Sequence, residues 1–112
     1  MATEEELNDQ TMTCFQIVAF VGDAKSSYIE AINKAHDGDF EEAAKLVEKG
    51  NASYLEGHNA HTSMIQKDAS GEKPAQFQLI LLHAEDQMMS AETFKVIAED
   101  LIEVYKKMEE KA

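Results

Sequence analysis

The chain has 112 residues, 22 of them acidic and 10 basic, for a formal charge of −12 at pH 7. Every base is lysine and there is no arginine. Such a chain repels phosphodiester backbones and anionic lipid, which excludes nucleic acid and membrane surfaces as expected partners, and it lacks the bidentate guanidinium clamp for phosphate.

With 44% apolar residues the chain can fill one packed core, so residues 1–112 are expected to form a single domain. A charged fraction of 29% and the lack of any apolar run near twenty residues argue against a transmembrane span. Met1–Asn8 carries Glu4, Glu5 and Glu6 rather than a basic stretch followed by an apolar one, and the lone Cys14 cannot form an internal disulfide or a cysteine zinc site. Cytoplasm is the expected compartment.

In the first element, Leu7, Cys14, Ile17, Val18, Val21, Ala24, Tyr28, Ala31, Ile32 and Ala35 recur at spacings of three and four, which predicts an amphipathic helix. Gly38 suits the left-handed residue beyond its end, and Asp39 with Glu42 forms a capping-box pattern for the next helix. The second stripe runs Phe40, Ala43, Val47, Tyr54, Leu55, His58, Thr62, Ile65 and Ala69. Gly71 should stop it, and Pro74 suits the first turn of a third helix. The fold class expected is all-α, a three-helix bundle with antiparallel neighbours and helices about 45 Å long.

The third helix carries too much apolar surface for one bundle. At about 100° per residue, Glu85, Glu92, Lys95, Glu99, Glu103 and Lys106 share one solvated strip, while Leu79, Ile80, Leu82, Met89, Phe94, Ile97, Leu101, Val104 and their apolar neighbours cover roughly 220°. One core contact needs about 100°. The surplus predicts a homo-oligomer built on this helix, a partner helix of another protein being the alternative. His83 and Asp86 interrupt the arc, and burying them without partners would be costly.

The stretch Leu81-Leu82-His83-Ala84-Glu85-Asp86-Gln87-Met88-Met89 resembles the active-site segment of the lactose/cellobiose-type enzyme IIA of the bacterial phosphoenolpyruvate-dependent sugar phosphotransferase system, whose usual form is His-Ala-Gln-Asp-His-Leu-Met after an apolar run. Gly22-Asp23-Ala24-Lys25, Gly38-Asp39-Phe40, Glu56-Gly57-His58, Ala69-Ser70-Gly71-Glu72 and Leu101-Ile102-Glu103-Val104-Tyr105 match in order and spacing, so the resemblance spans nearly the whole chain.

The resemblance implies a homotrimer of nine helices and a phosphocarrier role. His83 would accept a phosphoryl group from phospho-HPr, as the tele-phosphohistidine, and pass it to a cysteine of enzyme IIB; the permease enzyme IIC is an indirect partner. Asp86 from three subunits would hold one divalent metal, magnesium being expected, and no organic cofactor is implied. The chemistry is compatible: an unperturbed imidazole, with a pKa of about 6.5, is a competent acceptor near neutrality.

At two positions the chain has the reverse of the family's residues, His61 where glutamine is usual and Gln87 where histidine is usual, which suggests an exchanged pair meeting across helices two and three. Gln87, His58 and His61 are the expected supporting residues, with a His58–His61 zinc site disfavoured for want of a third ligand. The alternative function is a non-catalytic helical adaptor in which His83 merely packs. A two-component histidine-phosphotransfer domain is disfavoured because Ala84–Met88 lacks lysine and glycine, and a di-iron bundle because its Glu-x-x-His pairs are missing. The transported sugar is not readable from these residues.

Overall fold

Thr3 opens the first helix, its hydroxyl accepting the Glu6 N–H at 3.1 Å, and Glu4, Glu5 and Glu6 lie in the first turn, where the positive end of the helix stabilises them. The computed structural model describes residues 2–112 as three helices, α1 Glu4–His36, α2 Phe40–Ser70 and α3 Leu79–Glu110, with no strand among the described residues. They form a rod of 63 × 19 × 19 Å. α1 packs along both other helices, while α2 and α3 touch more sparsely.

The first turn follows the sequence closely. Gly38 is left-handed (φ 86°), and the Asp39 carboxylate accepts the Glu42 N–H at 3.1 Å. The capping box is only half formed, because the Asp39 N–H donates to the Lys34 carbonyl at 2.9 Å and so closes α1 while its side chain opens α2. α2 stops at Gly71, left-handed at φ 78°, whose N–H returns to the Asp68 carbonyl at 3.1 Å.

The third helix does not begin at Pro74. Residues 74–78 are non-helical and α3 starts at Leu79. The reason is tertiary: the Ala75 N–H donates to the Asp68 carboxylate at 2.7 Å, and both backbone groups of Gln76 are taken by the Gln10 side chain, at 2.9 and 2.8 Å. A peptide group already satisfied in this way has little to gain from joining a helix.

Where the helices meet, the core is made of small residues around a few large ones. Cys14, Ile17 and Val21 pack on Ala84, Met88 and Ala91; Ala24 and Tyr28 on Ala98; Ala31 and Ala35 on Ala43, Leu46 and Ile102. The α2 stripe shifts from the one expected: Ala43, Leu46, Gly50 and Gly57 are its buried residues, while Leu55 and Ile65 are about half exposed. Glycine adds nothing to a hydrophobic pattern, yet here it marks the closest approach to α1. A Cβ at Gly50 would stand 2.7 Å from the Tyr28 ring, and one at Gly57 would stand 2.6 Å from Val21 Cγ1.

Tyr28 is fully buried, and its hydroxyl donates to Asn51 Oδ1 at 2.7 Å. Burial, with smaller contributions from the Glu99 charge and Tyr54, pushes the phenol up to about 12. Because the folded pKa lies above the unfolded one, this contribution to stability is complete below pH 10 and is lost as pH rises through about 12. A spectroscopic phenolate titration should therefore find one tyrosine resisting ionisation to about pH 12 in the native chain. Burial and then the Glu85 charge raise the Cys14 thiol, in keeping with a small, unreactive core residue.

Candidate functional site

α3 has two apolar faces on opposite sides. One holds Ala84, Met88, Ala91, Ala98 and Ile102, buried against α1 and its neighbours. The other is exposed in the single chain, with Leu79 78%, Leu82 50%, Met89 64%, Val96 54% and Val104 49% accessible. Two apolar stripes account for the 220° arc.

The exposed face has a finer pattern than the sequence reading found. Leu82, Met89 and Val96 follow one another at seven residues, and Asp86, Thr93 and Asp100, all exposed, interleave with them at the same interval. This three-four alternation is the spacing of a coiled-coil seam. Counting matches to a heptad rather than measuring the width of the arc would have found it.

His83 lies on the second turn of α3, exposed, at the edge of this face. Asp86 stands about 60° round the helix from it and Gln87 about 40° on the other side, both one turn further on. Thus His83, Asp86 and Gln87 share one side of α3. Asp86 is exposed and Gln87 half-buried.

The other two expected site residues lie elsewhere. His58 is on the exposed side of α2 with its ring stacked on Tyr54, centroids 5.8 Å apart. His61 Nε2 meets both Glu85 carboxylate oxygens at 2.9 Å, joining α2 to α3. Glu85, still partly exposed on the solvated strip, is thus the partner of His61 in place of Gln87. The reason is angular: Glu85 and Gln87 leave α3 about 160° apart, so a side chain from α2 that reaches the first does not meet the second. The His61–Glu85 pair is charge-assisted whenever His61 is protonated.

Asp86 offers hard carboxylate oxygen, the donor type that magnesium prefers. Among the described residues of one chain, however, no three histidine, cysteine, aspartate or glutamate side chains gather as a metal site. Asp86 alone does not complete a metal site within the described residues of one chain. No helix among the described residues is long and apolar enough to cross a membrane.

The sequence profile of the PTS system, Lactose/Cellobiose specific IIA subunit family matches residues 12–106. The chain belongs to this family. A PTS system lactose-specific EIIA component from Staphylococcus aureus is 40% identical over 93 residues, covering 83% of this chain and 89% of the relative. The corresponding Lactococcus lactis component is 35% identical over 99 residues, covering 88% and 93%. The crystal structure of a PTS cellobiose-specific enzyme IIA from Bacillus anthracis superposes with a TM-score of 0.87 at 35% identity, covering 100% of this chain and 97% of that one. Membership in the IIA family gives the chain a role in a sugar phosphotransferase system, and the three-helix fold is shared with a solved member.

Proposed function

We propose that the chain is a phosphocarrier in which His83 takes a phosphoryl group from phospho-HPr and hands it to a cysteine of the cognate enzyme IIB. Uptake and phosphorylation of a β-linked disaccharide such as cellobiose or lactose then follow at enzyme IIC. The observation that carries this reading is the placement of His83: exposed, on a rigid second turn, at the rim of an unpartnered apolar face, in a chain of the IIA family.

Chemically, the lone pair on His83 Nε2 attacks phosphorus in line as the N–P bond to the donor imidazole breaks, and the donor nitrogen leaves with the electron pair. One N–P bond replaces another, which keeps the step reversible. The work left to protein groups is positioning and neutralising charge on the equatorial oxygens. This chain has no arginine and a charge of −12, so positive groups come from the partners, and the acidity that steers basic carriers in also favours passing the phosphoryl group on. Gln87, a turn beyond His83 on the same side of α3, would support the imidazole. His61 acts at a distance, by tying α2 to α3 through Glu85.

The exposed seam of α3 supports assembly as a homotrimer about that helix, with Asp86 from three subunits holding one divalent ion, magnesium by its donor chemistry. When bound, the ion supplies charge balance to three facing carboxylates. The phosphoryl step itself is left to His83 and the partners.

With phosphoenolpyruvate, enzyme I and HPr present, the wild-type chain is expected to take up one phosphate per chain, and His83→Gln none. Since His83 is exposed, the variant should fold as the wild type does. No uptake by the wild type, or equal uptake by both, would favour the adaptor reading.

A further inference from the structure

One side chain of α1 makes three of the hydrogen bonds that hold the connector between α2 and α3. Gln10, on α1, donates to the Gln76 carbonyl at 2.8 Å and to Gln78 Oε1 at 2.6 Å, and its amide oxygen accepts the Gln76 N–H at 2.9 Å. Gln78 in turn donates to Thr11 Oγ1 at 2.8 Å.

Local chemistry pulls the other way. Pro74 suits a first helical turn, Ala75, Gln76 and Gln78 have good helix propensity, and the observed start at Gln78 (φ −149°, ψ 144°) has no side-chain cap. The two arrangements aim one carbonyl differently: in a helix wound back through residue 76 it would lie along the axis and accept the Ile80 N–H, whereas here it accepts from Gln10 across to α1.

The competition reaches His83 through chain length. Extended residues span about 3.3 Å each and helical ones about 1.5 Å, so winding residues 74–78 shortens the connector by roughly 9 Å. Its far end is tethered to α2, the Lys73 N–H bonding the Lys67 carbonyl at 3.1 Å and the Ala75 N–H the Asp68 carboxylate at 2.7 Å. The start of α3 would be drawn towards that tether, and His83 lies only four residues inside it.

We infer that Gln10 is a positioning residue for His83: its amide clamp keeps residues 74–78 unwound and thereby fixes where α3 begins and where His83 stands. The consequence for transfer rests on the phosphocarrier reading; the consequence for the helix start does not.

Two measurements on the full chain test this: backbone chemical shifts of residues 74–78, and single-turnover transfer from phospho-HPr. Gln10→Ala is expected to give helical shifts at residues 75–78 and to lower the saturating transfer rate about tenfold, as small misplacements of a reacting group do, with the half-saturating HPr concentration unchanged. Gln78→Ser supplies the missing cap, so the double variant Gln10→Ala/Gln78→Ser is expected to regain both the non-helical shifts and the rate. Should Gln10→Ala fail to fold, Gln10→Glu keeps the acceptor for the Gln76 N–H while losing both donations, and is expected to show the same helical shifts. Unchanged shifts in the Gln10 variant, an unchanged rate, or a loss that Gln78→Ser does not rescue overturns the inference. A wild-type chain that takes no phosphate overturns the phosphocarrier reading and the transfer consequence with it, while the shifts still decide the helix start.

Discussion

Met89→Glu is expected to turn the proposed trimer into a monomer without unfolding the chain. Met89 is 64% exposed on the outward face of α3, between Asp86 and Thr93 in the heptad seam, and it takes no part in the buried clusters. In a trimer about α3 it would be buried three times over. Burial of each methionine contributes about 1.5–3 kcal/mol, whereas an unpaired carboxylate moved to the same place costs several kcal/mol. The charge wins at every copy, and the three copies add mutual repulsion to an assembly already near −36, three times the charge of one chain. Sedimentation at micromolar concentration should find the wild type at three chains and Met89→Glu at one, with equal helix content. A wild type that sediments as a monomer would remove the interface from the account.

Asp86→Asn is expected to abolish the response of the proposed assembly to chelation. Two unit charges 4 Å apart at an effective dielectric of about 20 interact by about 4 kcal/mol, so three clustered carboxylates repel one another strongly unless a cation lies among them. The proposed trimer should therefore be stabilised by magnesium and weakened by a chelator. Asp86→Asn removes both the ligand and the repulsion, so its melting temperature should be insensitive to either, above the chelated wild type and below the magnesium-loaded one. An equal response of both chains to chelation would remove Asp86 from metal binding.

Much of the fold was legible because local signals and tertiary needs agreed. The Gly38-Asp39 turn, the Gly71 stop and the α1 stripe from Cys14 to Ala35 each rest on residues whose backbone preference and burial point the same way. The readings that failed were those in which a distant side chain outweighed a local preference. Pro74 suits a helix start, but Gln10, 66 residues from Gln76, holds the connector open. Leu55 and Ile65 look like core, but Gly50 and Gly57 bring α2 closest to α1, and glycine is silent in a hydrophobic pattern.

At the candidate site, spacing placed His83 and Asp86 on one side of α3 because helical geometry alone decides that. It could not pair His61 with Glu85, since the two are 24 residues apart on different helices and their meeting depends on how α2 is rotated about its axis. The complementary chemistry of a histidine and a glutamate was the available clue.

The phosphocarrier account is tested most directly by following one phosphate through the chain. Wild type is phosphorylated with phosphoenolpyruvate, enzyme I and HPr, freed of them, mapped, and mixed with the cognate enzyme IIB. The account predicts a base-stable, acid-labile phosphate on His83 that passes quantitatively to a cysteine of enzyme IIB. Phosphate on any other residue, or phosphate on His83 that enzyme IIB cannot remove, would contradict it.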